Sequence, residues 1–192
     1  MKDLSLHLLD VAKNSMTAGS KNVSITLDED NSGRLTIAIA DDGRGMDPEF
    51  LAQVTDPFTT TRTTRKVGLG LPLLRLTAEQ TGGSLSIEST VGVGTTVTAR
   101  FDRRHLDCPP LGDMAGAVAL LVQGNPEVEL TYRHTTPRGE ASLDTAELRE
   151  VLGDVSLAEP EVFAWIQDYL TEQENEAAVE ASPAGGIEGE II

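Results

Sequence analysis

Two stretches of alternating apolar residues constrain the fold most strongly. Val23, Ile25 and Leu27 alternate with polar residues, and the alternation resumes from Leu35 to Asp41 after an Asp-Glu-Asp-Asn-Ser-Gly turn. Successive side chains of a strand point to opposite faces of a sheet, so this pattern predicts a β-hairpin with one buried and one polar face. The apolar face of such a hairpin needs a second layer to cover it.

The segment from Leu4 to Ala18 has the spacing of a mostly buried helix that Gly19 ends. The polar residues that interrupt its apolar surface are spaced i, i+3, i+7 and i+10, and therefore follow one line along the helix. These residues are His7, Asp10, Asn14 and Thr17. A polar line on a buried helix predicts the wall of a pocket, with His7 as a packing or supporting residue.

The rest of the first 104 residues predicts a second hairpin and two more helices. The predicted elements are a short helix after Pro48, a polar loop 59–67 with three cations, a helix reaching Thr81, and strands 84–89 and 95–101 around a Gly92-Val93-Gly94 turn.

The composition changes after Asp107, where Pro109 and Pro110 mark a boundary. The predicted elements beyond it are a helix 114–122, a strand 128–132 and helices 143–152 and 160–170. From Glu172 onward the chain is rich in Glu, Ala and Gly and has too few apolar residues to fold. We therefore predict an α+β chain: a two-layer α/β sandwich over 1–104, a small acidic α/β appendage over 105–171, and a disordered acidic tail over 172–192.

The net charge of −16 is unevenly distributed. Residues 1–104 carry 12 Lys and Arg against 13 Asp and Glu, whereas residues 105–192 carry 3 against 18. The phosphates of nucleic acids and anionic lipids repel such a surface over about one Debye length, so we expect neither as a partner. We expect a protein partner for residues 105–171, and a homodimer remains open.

Cysteine usage and hydropathy predict a cytoplasmic protein. Cys108 is the only cysteine, which excludes an intrachain disulfide and favours a reducing compartment. The longest apolar run, Ala117 to Val122, is far shorter than the ~20 residues that a membrane span needs. Asp3 and Asp10 bracket the N-terminal leucines, which argues against a signal peptide.

Asn14 and Asp10 lie one helical turn apart and therefore share a helix face. The carbonyl oxygen of an Asn side chain suits Mg²⁺, and a carboxylate one turn earlier can orient a water molecule as a general base. The same pair also fits two ordinary solvated side chains, so the spacing alone leaves both interpretations open.

The motif Asp41-Asp42-Gly43-Arg44-Gly45 follows the second strand directly. Residue 41 shares the parity of the buried positions 35, 37 and 39, so its carboxylate is predicted to face inward, where it needs a hydrogen-bond donor. The exocyclic amine of adenine is one such donor, and Gly43 and Gly45 would let a flat base approach the backbone. A tight turn after a strand is the alternative interpretation.

Gly68-Leu69-Gly70 stands between the cation-bearing loop and a helix. Backbone amides at a helix N-terminus attract anions, and glycines let a loop fold over phosphates. The loop cations are Arg62, Arg65 and Lys66, a set that also fits an ordinary solvated loop. Thr95, in the last Gly-x-Gly-Thr turn, offers a hydroxyl to a base edge.

The order and spacing of these motifs resemble the ATP-binding boxes of the gyrase, histidine-kinase and mismatch-repair ATPase superfamily (GHKL). The shared series is an Asn on the first helix, Asp-x-Gly-x-Gly after the second strand, Asp-Pro-Phe before a loop, Gly-Leu-Gly-Leu opening a helix, and Gly-x-Gly-Thr between the last strands. The resemblance covers about residues 4–101 and implies a Bergerat-type sandwich that binds ATP and Mg²⁺.

The resemblance also implies a role for each matching residue. Asn14 corresponds to the Mg²⁺ ligand and Asp41 to the residue that binds adenine, with Gly43 and Gly45 shaping the base pocket and Thr95 assisting. Cofactor contacts are further implied for the loop and the helix start: Arg62, Arg65, Lys66, Gly68, Leu69 and Gly70. Asp56, Pro57 and Phe58 match the motif before the ATP lid.

Two departures from the superfamily pattern leave the chemistry open. Sensor kinases usually carry a Lys where this chain has Thr17, and hydrolysing relatives place a Glu where it has Asp10, a shorter candidate general base. Three functions therefore remain: a trans-acting protein kinase, a slow ATPase that uses Asp10, and a nucleotide-dependent switch that signals through residues 105–171.

The chain begins at the first motif helix, so we expect no dimerisation domain with a phosphoaccepting histidine. His105 and His134 are expected to be surface or interface residues. The lid sequence, together with the downstream Pro-Pro-Leu-Gly-Asp, also resembles short stand-alone ATP-binding proteins encoded near iron-only hydrogenases, which implies a regulatory role.

Overall fold

The computed structural model describes residues 3–56 and 70–179. Their helices and strands are, in chain order, α1 (Leu4–Thr17), β1 (Asn22–Glu29), β2 (Arg34–Asp41), α2 (Pro48–Gln53), α3 (Gly70–Gln80), β3 (Ser84–Thr90), β4 (Gly94–Asp102), α4 (Met114–Gly124), β5 (Glu129–Thr136), β6 (Gly139–Asp144), α5 (Thr145–Leu152) and α6 (Pro160–Ala177). The helices and strands predicted before residue 104 are all present, and the predicted loop 59–67 lies outside the described residues.

The described strands form one sheet in the order β3-β4-β2-β1-β5-β6. Neighbouring strands are antiparallel except for β1 and β5, which run parallel. In the β1–β2 hairpin, Ile25 lies opposite Ile39 and Leu27 lies opposite Ile37, and all four side chains are buried. The prediction of a hairpin with one buried face is therefore confirmed.

Helices cover the buried face of the sheet. α1 contacts both α3 and α4, and α4 in turn contacts α6. α4 is buried along most of its length because it is composed mainly of Ala, Val and Leu and lies between α1 and α6. The architecture is the predicted α+β type, a two-layer sandwich of one sheet and one helical layer.

Hydrogen bonds join the first helix to the C-terminal part of the chain. The backbone N–H groups of Leu4 and Ser5 donate to the carbonyls of Pro110 and Leu111, each over 2.9 Å. The Asp3 carboxylate caps α1 by accepting from the amide of Leu6 over 3.1 Å. The segment after residue 105 is thus bound to α1 as well as to β1.

Two details of the C-terminal half differ from the sequence-based expectation. Residues 139–144 form the additional strand β6, whereas a helix was predicted to begin at residue 143. The disordered tail was predicted to start at Glu172, but α6 continues to Ala177, which is buried. Composition suggested disorder because it could not reveal that Gln173 and Glu174 find partners on β5 and β6.

The expectation that His134 is a surface or interface histidine is wrong. His134 is 1% exposed, because β5 pairs with β1 and turns Leu130, Tyr132 and His134 toward the helical layer. Its Nδ1 lies 2.7 Å from Glu174 Oε2 and its Nε2 lies 2.9 Å from Glu29 Oε1. We call His134, Glu29, Glu174, Tyr132 and Arg103 the His134 cluster.

In the His134 cluster, hydrogen bonds and opposite charges offset the cost of burying ionised side chains. Burial alone would lower the pKa of His134, but the hydrogen bonds and charges of Glu174 and Glu29 outweigh it and raise that pKa to about 9. Burial opposes ionisation of Glu29, yet the bond from His134 and the charge of Arg103 hold the pKa of Glu29 below its ordinary value. Burial raises the pKa of Tyr132, whose hydroxyl donates to Glu174 over 2.5 Å.

Within the described ranges, every helix is too short or too polar to serve as a bilayer-spanning segment, and the most apolar, α4, has 11 residues.

Candidate functional site

A cavity of about 440 Å³ opens where α1, α2, β2 and β4 meet. Its volume lies within the range of small-molecule pockets, roughly 300–1,000 Å³. The lining residues are Val11, Asn14, Ser15, Thr17, Ala18, Asp41, Arg44, Gly45, Met46, Phe50, Val54, Leu71, Thr95 and Val97. Four of the residues predicted for the site, Asn14, Asp41, Gly45 and Thr95, thus line one cavity.

The register of β2 and β4 brings Asp41 and Thr95 together. The two residues are paired directly across the strands. Asp41 Oδ1 accepts a hydrogen bond from the amide of Gly43 over 2.9 Å. Its second oxygen, Oδ2, accepts none from the residues that the structure describes. The cavity therefore presents a half-buried carboxylate oxygen that can accept a hydrogen bond from a ligand.

Ser89, at the end of β3, connects the loop after β2 with the start of β4 beside the cavity. Its Oγ accepts from the amide of Met46 over 2.8 Å and lies 2.7 Å from Thr95 Oγ1. Ser89 was not among the residues predicted from the sequence. A signal was present, because Ser89 shares the parity of Leu85 and Ile87, whose side chains pack against the core. The hydroxyl pair fixes Thr95 relative to the loop after β2.

The polar line predicted on α1 is divided between two environments. Asn14 and Thr17 line the cavity. Asp10 is exposed and lies outside the lining, but its Cβ would be 3.4 Å from a Cβ added at Gly70, the first residue of α3. The candidate general base therefore faces the start of α3, where the Gly-Leu-Gly motif ends.

His7, the first residue of that line, faces α3. It is 2% exposed, and its Nε2 lies 3.4 Å from Thr77 Oγ1. Burial, assisted by the charge of the N-terminus, lowers the pKa of His7. A neutral, buried imidazole between two helices is a packing residue, as its position on the helix suggested.

The two glycines after Asp41 have different roles. Gly45 lines the cavity with φ at +70°, and a Cβ there would collide with the carbonyl oxygen of Thr90. Gly43 does not line the cavity; a Cβ there would lie 2.8 Å from Ser20 Oγ and 3.0 Å from the carbonyl oxygen of Ala18. Gly43 therefore allows the loop to pack closely under the end of α1, and only Gly45 borders the cavity directly.

The neighbouring Asp42 holds the backbone and does not line the cavity. Its carboxylate accepts from the amides of Lys21 and Asn22 over 2.8 and 2.9 Å, and from the Asn22 side chain over 2.8 Å. These hydrogen bonds, led by that from the Asn22 side chain, lower the pKa of Asp42. Asp42 thus fastens the loop after β2 to the start of β1.

Most of the apolar wall was not predicted from the sequence. It includes Phe50 and Val54, which are one helical turn apart at α2, together with Met46, Leu71 and Val97. Arg44 adds a cation at the exposed edge. A slot with apolar sides and one carboxylate fits a flat heterocycle that carries an amine, such as adenine.

Several predicted residues lie outside the described part of the chain. They are Pro57, Phe58, Arg62, Arg65, Lys66, Gly68 and Leu69. Gly70 is described, and it is buried at the first position of α3.

The part of the chain that forms the cavity is similar to known ATPase and sensor proteins. The profile described as "Histidine kinase-, DNA gyrase B-, and HSP90-like ATPase" matches residues 2–105. The sensor protein SrrB of Staphylococcus aureus strain NCTC 8325 / PS 47 is 36% identical over 108 residues, which are 54% of this chain and 18% of SrrB. SrrB of strain COL has the same identity and coverage. The chain thus spans less than a fifth of the length of these relatives.

A solved structure titled "Crystal Structure of N terminal domain of a DNA repair protein" has a similar fold. Its TM-score is 0.53 at 16% sequence identity, covering 75% of this chain and 52% of that one. The likeness at this identity concerns the fold alone. The profile match gives residues 2–105 the character of an ATP-binding domain. The chain belongs to the family of histidine kinase-, DNA gyrase B- and HSP90-like ATPases.

Proposed function

We propose that this chain binds ATP·Mg²⁺ in the cavity and acts as a regulatory protein, either as a nucleotide-dependent switch or as a trans-acting protein kinase. The observation that carries the proposal is Asp41, whose Oδ2 lacks a donor among the described residues while its neighbours form an apolar slot. An adenine amine would supply that donor.

The residues around Asp41 divide the work of holding the nucleotide. Phe50 and Val54 would cover the base, and Thr95, held by Ser89, would contact its edge. Asn14 would coordinate Mg²⁺ through its side-chain oxygen. Bound ATP supplies a γ-phosphoryl group for transfer to an acceptor or to water.

The three histidines of the sequence are poorly placed to accept a phosphoryl group. His7 is buried, and both ring nitrogens of His134 contact carboxylates. His105 follows the end of β4 that is distant from Asp41, about 20 Å away at ~3.3 Å per residue of strand. A histidine acceptor in a kinase reaction would therefore lie outside the residues that the structure describes.

A series of contacts from the loop after β2 to α5 supports a nucleotide-dependent switch. Asp42 binds the amide of Lys21, and the carbonyl of Lys21 accepts from the amide of Glu129 over 2.8 Å. The Glu129 carboxylate accepts from Thr145 Oγ1 over 3.4 Å and lies 3.1 Å from Arg149 Nε. A change in the loop after β2 would thus reach Thr145 at the start of α5 and Arg149 one turn later.

The proposed partner is a protein that contacts residues 105–171. The excess of acidic residues in that segment disfavours nucleic acid and anionic membranes. We place the protein in the cytoplasm, and a homodimer is compatible with this function.

A slow ATPase is the second candidate, because Asp10 faces Gly70 at the start of α3. The Asp side chain is one methylene shorter than the Glu of hydrolysing relatives, and a misplacement of about 1 Å can lower a rate by about a hundredfold. Asp10→Glu should raise the rate if Asp10 is the general base, and Asp10→Asn should lower it. Neutral or harmful effects of Asp10→Glu would favour the switch or the kinase.

Calorimetric titration with ATP, with and without Mg²⁺, tests the nucleotide site. Asn14→Ala should remove the gain in affinity that Mg²⁺ gives and should leave the unfolding transition unchanged. Lys13→Ala, at the adjacent exposed position, is the matched control. Wild-type protein that binds no ATP·Mg²⁺ would refute the proposal.

Hydrogen exchange tests the switch separately. ATP·Mg²⁺ should change the exchange of the α5 amides in the wild type, and Asp42→Asn should weaken this response. Identical α5 exchange with and without saturating nucleotide would exclude this route of signalling.

A further inference from the structure

A groove lies between α5 and α6, at the edge of the sheet that carries β6. It consists of two adjoining cavities of about 430 and 270 Å³, which share Leu148 and Trp165. It does not include any of the residues that line the nucleotide cavity. We call it the α5–α6 groove.

The floor of the α5–α6 groove exposes large apolar side chains. Trp165 is 50% exposed, Val155 is 50% exposed and Val151 is 83% exposed. The Trp165 and Tyr169 rings are stacked, with centroids 4.8 Å apart and an interplanar angle of 12°. Rigid aromatic side chains in a concave surface are typical of the central contacts of protein interfaces.

The rim of the groove is negatively charged. Four carboxylates border it, and they are Glu140, Asp144, Glu147 and Glu161. The one cation among its lining residues, Arg133, is paired with Glu140 over 2.9 Å. Glu147 and Glu161 have no ion-pair partner among the described residues. A ligand that complements the rim therefore carries positive charge beside its apolar surface.

The edge of the sheet favours a helical ligand over an added strand. β6 is an edge strand, and strand addition would use its outward-facing backbone groups. The amide of Ser142 in that strand already donates to Gln173 Oε1 of α6 over 2.9 Å. A helix laid between α5 and α6 needs none of these groups.

We infer that the α5–α6 groove binds a partner protein through an amphipathic basic helix, with apolar residues on one face and Lys or Arg beside them. The inference rests on the proposed protein partner of residues 105–171 and specifies its chemistry. A second copy of this acidic chain, or its own acidic C-terminal residues, would meet like charge at the rim.

A synthetic peptide provides a direct test on the full chain. The probe is a fluorescein-labelled helix of about 14 residues with Leu at i, i+3, i+4 and i+7 spacing and Lys elsewhere. Its anisotropy should rise in a saturable manner on addition of the protein. The emission of Trp165, the only tryptophan of the chain, should shift to shorter wavelength. The same peptide with Glu in place of Lys should bind at least about tenfold more weakly.

Matched variants locate the peptide in the groove. Val151→Asp should weaken binding by about tenfold or more, as expected for a charge in an apolar contact. Leu106→Asp, at a site that is 96% exposed outside the groove, should have no effect. The double variant Glu147→Gln with Glu161→Gln should weaken binding by about 2- to 25-fold, at about 1.5- to 5-fold per surface charge. Glu150→Gln, on α5 outside the lining, is its control.

Four outcomes would overturn the inference. The first is equal binding of the acidic and basic peptides, and the second is equal effects of Val151→Asp and Leu106→Asp. The third is a wild-type dimer that Val151→Asp converts to monomer, which would make a second copy the occupant. The fourth is a red shift of Trp165 emission when the chain is ended at Val179, which would make the chain's own C-terminal residues the occupant. ATP affinity measured on the same proteins separates the two proposals. Loss of peptide binding with normal ATP affinity counts against the groove alone, whereas absent ATP binding counts against the proposed function.

Discussion

The cavity beside Asp41 and the His134 cluster both contain carboxylates inside the fold, but the hydrogen bonds that these carboxylates receive differ. In the His134 cluster, Glu29 and Glu174 receive hydrogen bonds from His134, and Tyr132 and Arg103 add further contacts. In the cavity, Asp41 receives one hydrogen bond from the residues that the structure describes, and it does so at only one of its oxygens.

The difference separates stability from binding. A buried ionic group whose hydrogen bonds are complete has nothing to offer a ligand, and removing one member leaves an uncompensated charge. A carboxylate with an open oxygen beside an apolar slot adds little to stability but can select a ligand. Substitutions in the His134 cluster should therefore lower the free energy of unfolding and leave ATP affinity unchanged. Substitution of Asp41 should lower ATP affinity and change the free energy of unfolding little.

The largest effect is expected from His134→Ala. The substitution leaves Glu29 and Glu174 without their shared donor and should lower the free energy of unfolding by about 3–5 kcal/mol. ATP affinity of the folded fraction should be unchanged. Chemical denaturation measures the loss, and His105→Ala, an exposed histidine, should change it by less than about 0.5 kcal/mol. Similar losses in both variants would show that the cluster is not stabilising.

The pH dependence of stability should follow the same histidine. Its pKa is raised to about 9 in the folded protein, above the ordinary value of 6.5, so its contribution is full below pH 6.5 and is lost as pH rises through 9. The loss should be about 3 kcal/mol, because each tenfold change in proton affinity corresponds to about 1.4 kcal/mol. Unfolding curves at pH 6 to 10 measure it, and the fall should be largely absent in His134→Ala.

Asp41→Asn should act on ATP affinity and not on stability. Loss of the charged acceptor should weaken ATP binding by about 1.5–3 kcal/mol and should change unfolding little. GTP should bind poorly to the wild type, because its carbonyl would face the carboxylate. Titration calorimetry with both nucleotides tests this, with Asp28→Asn as an exposed control of equal charge change. Equal affinity for ATP and GTP would refute the adenine assignment.

The smallest effect is expected from Ser89→Ala, which should change both ATP affinity and the free energy of unfolding. The variant removes the hydroxyl between Met46 and Thr95, at a cost of about 1 kcal/mol. Part of this cost should appear in ATP affinity, because Thr95 loses its fixed position, and part in unfolding. Ser86→Ala, at an exposed position of the same strand, should affect neither. An effect on unfolding alone would assign Ser89 to the scaffold.

The sequence predicted those parts of the site that depend on local pattern. Strand parity and the Asp-x-Gly-x-Gly motif placed Asp41 on the cavity side, and helical spacing did the same for Asn14. Ser89 and Phe50 were missed because their roles arise from contacts between elements distant in the chain. Glu174 was assigned to a disordered tail for the same reason: its partner His134 is 40 residues away. Composition describes a segment, whereas burial depends on what the segment meets.

The parallel pairing of β1 with β5 has a consequence for biosynthesis. Asn22 pairs with Glu129, so the β1 edge remains open until more than a hundred further residues have been synthesised. At about 5–20 residues per second, a nascent chain would display that edge for several seconds or longer. Unpaired edges are templates for aggregation. A fragment that ends after the family domain would keep β1 permanently open, so its solubility should depend on chaperones or on an added strand.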